Sequence, residues 1–265
     1  AGTGLPGLGP TWSLPAVAPR STTNYSMLFG AGYDTASVYG PAPLGQKEPR
    51  VFQLNPVDGT KIGAAASHDL TNDSDPLHTP PWVGNQAFAD SVLFKHTAST
   101  YASDNIATRG LQADLNGRIW FLDPNDISVA PKMGIDASAI AGQSQPLYYP
   151  PAAGGFGLPP NGCNVYSFGS GTFYEQSTRV NGPATGTDTG FIPSLYFAAN
   201  DKAFYDLQVP AGNVLRIKIN EILRPGTAAD IAAWGPRLSR LSQMTGAPLL
   251  LIDPKGTQPS VAIFV

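Results

Sequence analysis

Period-2 alternation of apolar and polar positions is the strongest pattern in the chain, and it predicts strands. Tyr25–Gly30 (YSMLFG) and Arg50–Leu54 (RVFQL) have strand length and β-forming residues. Asn55–Gly59 (NPVDG) is a turn by composition, because Asn, Pro and Asp-Gly supply its dihedrals, and Lys61-Ile62 is expected to open a return strand. The same phrase recurs in Gly117–Asp126 (GRIWFLDPND), with Leu54 and Leu122 separated by 68 residues (122 − 54). A regular propeller blade repeats at roughly 40–50 residues, so loops must be inserted between repeats. Asn164–Glu175 (NVYSFGSGTFYE) reads as a third strand pair, a hairpin turning at Gly169-Ser170-Gly171.

From about residue 204 the texture changes. Val214–Glu221 alternates Leu215, Ile217 and Ile219 against Arg216, Lys218 and Asn220, an amphipathic strand with one wet face. Thr227 with Asp230 three residues on resembles a capping box before a helix over 228–234. Pro236 restarts the helix, Arg237–Met244 continues it, and Gly246 is its C-cap. Leu249–Ile252 and Val261–Val265 flank a turn as a terminal hairpin. The expected organisation is a β domain over 1–203 and a strand-helix-hairpin portion over 204–265. That portion is a small α+β appendage or completes the sheet.

Between the first strands lie Pro-rich loops, Ser67–Pro81 and Pro146–Gly162. Long loops on a rigid β scaffold are candidate contact surfaces. Their aromatics, Tyr148, Tyr149 and Phe156, with Trp82 beside Pro80-Pro81, are the candidate anchors for a ligand or partner.

Composition narrows the function. Gly (29) and Pro (26) make up about a fifth of the chain, against roughly 12% in ordinary usage, so turns and ordered loops are many. Twelve Phe, ten Tyr and four Trp supply the apolar area to anchor them. A net charge of −3 with few charged residues offers no basic field, which argues against nucleic acid. No apolar run reaches the length of a membrane-spanning helix. Cys163 is the sole cysteine, so no internal disulfide forms. An opening AGTGLPGLGP without Met or a signal peptide is expected of a processed or fragmentary chain, and scarce Lys and Glu fit export.

Candidate chemistry is sparse. Asp69, Asn72, Asp73 and Asp75 form the best hard-cation candidate, because calcium takes six to eight oxygens and closely spaced Asp and Asn deliver several. The central Gly and closing Glu of an EF-type loop are missing, which favours a solvated acidic turn. Asp114, Asn116 and Asp123 flank a strand where such groups cap backbone N–H donors. His68, His78 and His96 match no short zinc spacing, and no G-x-S-x-G elbow focuses a serine nucleophile. The G-x-G pairs at Gly30–Gly32 and Gly169–Gly171 suit close backbone approach rather than a dinucleotide. Trp12, Trp120 and Trp234 are expected in the core.

Four stretches in order carry a family resemblance over about residues 11–178. They are Thr11–Ala18 (TWSLPAVA) leading to Leu28–Asp34 (LFGAGYD), Val51–Gly59 (VFQLNPVDG), Gln112–Asp123 (QADLNGRIWFLD), and Gly142–Pro146 (GQSQP) leading to Val165–Glu175. Together they resemble the C-terminal β-propeller domain of PilY-type proteins, which sit at type IV pilus tips and aid pilus assembly. The family's calcium loop has no counterpart in Trp82–Gly110, and neither a von Willebrand-like region nor preceding blades are present.

The resemblance implies a mainly β, propeller-like fold, partial or completed by another chain. It implies a non-enzymatic surface or tip adhesin, or pilus assembly factor, at the cell surface outside the cell. Its partners would be pilus subunits or an upstream fragment of the same precursor, with a host or abiotic surface as target. No cofactor is implied, calcium being the one candidate. If the propeller is partial, open strand edges are expected to pair with another chain. Two rivals remain: a quinoprotein-like propeller dehydrogenase, and a structural subunit of another extracellular filament.

Overall fold

The strands predicted by alternation become the middle strands of antiparallel meanders, each with neighbours drawn from less patterned sequence. The computed structural model describes residues 5, 8, 11, 13–32, 50–63, 65–70, 87, 89–95, 105–129, 131–142, 145–156, 163–171, 194–201, 209, 211–218, 247–252 and 261–264. Among them are three four-stranded antiparallel sheets and one two-stranded sheet, with little helix, so the chain is mainly β.

The first sheet runs β1 (Ala16–Pro19), β2 (Tyr25–Gly30), β3 (Arg50–Leu54), β4 (Ser67–Asp69). The second runs β5 (Val92–Phe94), β6 (Arg109–Ala113), β7 (Arg118–Leu122), β8 (Lys132–Asp136). The third runs β9 (Ala152–Phe156), β10 (Cys163–Gly169), β11 (Ser194–Asp201), β12 (Val214–Lys218). In all three, spatial order follows chain order. β13 (Leu249–Ile252) pairs with β14 (Val261–Phe264), the expected terminal hairpin. The first strands of successive sheets are neighbours: β5 lies beside β1 and beside β9, and β13 lies beside β9.

Strand alternation makes the sheets stack. Leu28 and Val51 of the first sheet meet Trp120 and Leu122 of the second. The opposite face of the second sheet, through Leu111, Ile119, Phe121 and Ile135, meets Tyr166, Phe168 and Tyr196 of the third. Rings fill this second seam, with Phe121 stacked on Tyr166 at 5.5 Å between centroids and Phe168 on Tyr196 at 5.0 Å. Trp120 is in the core, as expected. Close approach is set by glycine: a Cβ on Gly30 would stand 2.2 Å from the carbonyl oxygen of Ala87.

Several expectations need correction. Lys61 makes a single bridge to Leu54, and the return strand proper is Ser67–Asp69. β10 does not turn back on itself at Gly169-Ser170-Gly171. Both its edges are taken, by β9 and by β11, whose first residue lies well beyond that turn. The loop over 146–162 contains β9, an AAGGF segment without alternation that is recruited by pairing to β10. The alternating segment from Val214 pairs with β11, so the third sheet extends past residue 204. The helix expected over 228–244 lies outside the described residues.

Candidate functional site

The 68-residue repeat is built from matching turns. After β3, Asn55 Oδ1 accepts from Val57 N and Asp58 Oδ1 accepts from Thr60 N and Oγ1. After β7, Asp123 Oδ1 accepts from Asn125 N and Asp126 Oδ1 accepts from Ser128 N and Oγ. Side-chain oxygens bonded to the backbone two residues on shape both turns. The hydroxyl bonds hold the Asp58 and Asp126 carboxyls below the usual aspartate range.

A buried polar network then fixes the segment that carries the tyrosines. Asp114 is fully buried; its Oδ1 accepts from Arg118 N and its Oδ2 from the Trp120 indole at 2.6 Å. Arg118 pairs with Asp136 at 3.3 Å, and Asp136 caps α1 (Ala137–Ala141) by accepting from Ala139 N. Ser138 Oγ donates to the Asn116 carbonyl and accepts from Gln145 N. Gln145 Oε1 accepts from both Ser170 Oγ at 2.6 Å and the Tyr196 hydroxyl at 2.9 Å. Burial pushes the Tyr196 phenol well above the ordinary tyrosine range, the charge of Arg216 opposing only part of that rise.

The segment after Gln145 is therefore pinned at three points. Leu147 N donates to the Asp114 carbonyl at 3.2 Å, its side chain is fully buried, and Gly171 N donates to the Pro146 carbonyl at 2.8 Å. Tyr148 and Tyr149 follow, each half-buried, just before β9. A rigid aromatic pair with one wet side is the kind of surface on which partners find binding energy at small entropic cost.

The other candidate residues are not brought to this place. Phe156 ends β9 and Asp69 ends β4, their side chains outside the described residues. Trp82, Asn72, Asp73 and Asp75 lie outside them altogether, as do Trp12, Trp234, His78 and His96. Among the described residues no cluster of three His, Cys, Asp or Glu side chains is placed to hold a metal. Asp114 and Asp123 cap backbone N–H groups as expected, whereas the buried Asn116 Oδ1 has no hydrogen-bond partner.

Three glutamines do work that the sequence reading missed. Gln53 Nε2 donates to Ser26 Oγ at 2.9 Å and to the Pro124 carbonyl at 2.7 Å, while its Oε1 accepts from Ile127 N at 2.8 Å. It clamps the first sheet to the turn of the second. Gln112 joins Ser91 to the Ala89 and Ala113 carbonyls, and Gln145 ties α1 to the third sheet. Their only sequence signal is Gln at strand positions flanked by apolar residues, which reads equally as wet-face alternation.

No protein-family model and no curated protein sequence matches the chain. Among solved structures, it is similar to the Pseudomonas aeruginosa PilY1 C-terminal domain, with 16% identity and a TM-score of 0.48. The match covers 77% of this chain and 40% of that one, so the chain spans less than half of that structure. The likeness is a weak one at the level of the β fold.

Proposed function

We propose that this chain is a non-enzymatic, pilus-associated extracellular binding protein, built as part of a β-propeller. The observation that carries the architectural half is the succession of sheets. Three meanders follow in chain order, stack face to face, and bring their first strands side by side, as blades do around an axis. The order of the family-like phrases from Thr11 to Glu175 supports the pilus half. Binding without chemistry is supported by the buried ionisable groups: Asp114, Arg118 and Asp136 hold a backbone N–H, an indole and a helix start together. Tyr148 and Tyr149 are the contact residues, presented by an anchored segment. In a partial propeller the surfaces left open are sheet faces as well as strand edges.

Co-sedimentation of the purified chain with sheared type IV pili tests this reading. The wild type is expected in the pellet, and Tyr148→Ala/Tyr149→Ala is expected to bind about tenfold more weakly, the loss of roughly one aromatic anchor, with unchanged circular dichroism. Wild-type protein left in the supernatant would refute the pilus assignment. Equal retention of the double variant would refute the tyrosine contact.

A further inference from the structure

The outer face of the first sheet, turned away from the second, is one continuous apolar stripe. Strand pairing places Val17 opposite Met27, Met27 opposite Leu54, and Phe29 opposite Phe52. Phe29 and Phe52 stack at 5.4 Å with 14° between ring planes. The inner face of the same strands packs on a whole sheet, but this outer face receives Leu5 and Leu8. Those two leucines sit on one turn, closed by Leu8 N donating to the Leu5 carbonyl at 3.2 Å. The chain is then tied down further on: Thr11 Oγ1 donates to the Gly30 carbonyl at 3.1 Å, and Leu14 N donates to Asp90 Oδ1 at 2.6 Å.

The cover is incomplete. Phe29, Phe52 and Leu54 are buried beneath it, whereas Val17 and Tyr25, on the same face, remain 54% and 48% exposed. We propose that Leu5 and Leu8 form a displaceable cap on the face through which the chain receives one further β-sheet, from another polypeptide. The occupant is fixed by what the chain does elsewhere. Both sheet–sheet seams are made of alternating aliphatic and aromatic side chains, and the outer face continues that pattern past the cap. Two leucines cover only one end of what a four-stranded sheet would cover, much as a terminal repeat closes a stack. A cap held mainly by two half-buried side chains opens more readily than the strands beneath it. The inference rests on the stacked sheets of the proposed architecture and not on the pilus assignment.

The test uses the full chain and its Leu5→Asp/Leu8→Asp variant, with 8-anilinonaphthalene-1-sulfonate fluorescence and sedimentation across concentration. A second copy of the chain serves as the available apolar sheet. The variant is expected to keep its β-sheet circular dichroism, bind several-fold more dye and self-associate, and Val17→Lys added to it is expected to abolish the association. A folded variant that stays monomeric with unchanged dye binding overturns the proposal. Loss of the fold also overturns it, because the leucines would then be core rather than cap. Hydrogen exchange of the wild type reads the same point without mutation: the Leu8 amide is expected to exchange at least tenfold faster than those of Phe29 and Phe52. Equal protection contradicts a displaceable cap.

Discussion

The indole of Trp120 donates to Oδ2 of Asp114 at 2.6 Å, in a place where Asp114 has no exposed surface. A buried carboxylate is retained only where donors surround it, and here the Arg118 amide supplies a second. Trp120 lies on the seam with the first sheet, while Leu147, bonded to the Asp114 carbonyl, lies on the seam with the third. Asp114 thus connects both seams and the start of the tyrosine segment. Asp114→Ala is expected to destabilise the chain by about 2–4 kcal/mol, since it strands two buried donors. Urea unfolding followed by tryptophan fluorescence measures this; a loss below about 0.5 kcal/mol would show that solvent reaches the site.

Gly30 and Gly59 separate two reasons for keeping glycine. A Cβ at Gly30 meets the Ala87 backbone, which has no rotamer to change, whereas Gly59 has open space around it but φ +70°. Gly30→Ala is expected to cost about 1–3 kcal/mol through overpacking. Gly59→Ala is expected to cost about 1–2 kcal/mol through left-handed strain alone. Only the first should disturb the seam, seen as a change in near-ultraviolet circular dichroism.

The two equivalent turns set an acid limit. Asp58 and Asp126 have carboxyls lowered from 3.8 in the folded chain by hydrogen bonds from Thr60 and Ser128. Below that value the unfolded chain binds more protons than the folded one, so their contribution is present above pH 3.8 and lost as pH falls through the folded values. Asp58→Asn/Asp126→Asn is expected to flatten the decline of the urea midpoint below about pH 4 while leaving the profile near neutrality flat. A parallel decline in the variant would place the acid sensitivity elsewhere.

At the alkaline end the sign reverses. The Tyr196 phenol is raised above 10.0 by burial, so the stability tied to its neutral form is complete below pH 10 and lost as pH rises beyond it. In a spectrophotometric titration one tyrosine fewer should ionise in the folded chain than in the unfolded one near that pH. Tyr196→Phe is expected to cost about 1 kcal/mol at neutral pH, the bond to Gln145 being lost, and to remove this alkaline component.

The parts of the fold legible in the sequence were those with a pattern of their own. β2, β3 and β7 alternate and end in Asn-Pro or Asp-Pro turns, and β12 alternates against its basic residues. β9 was illegible because Ala152–Phe156 has neither alternation nor β-branched residues; its conformation comes from β10. The partner of β10 was misassigned because Gly169-Ser170-Gly171 has hairpin chemistry, while the actual partner starts at Ser194 and no local signal spans that distance. At the candidate site, Tyr148 and Tyr149 were visible as aromatics among prolines. What holds them was not, since Gln145, Ser170 and Tyr196 meet only after the second and third sheets stack.

The most direct test of the proposed function is the molar ratio of this chain to the major pilin in filaments sheared from the native source, measured by quantitative mass spectrometry. A tip-associated protein is expected at a trace ratio, far below one copy per pilin. A ratio near one would make the chain a filament subunit, and its absence from the filaments would remove the pilus from its function.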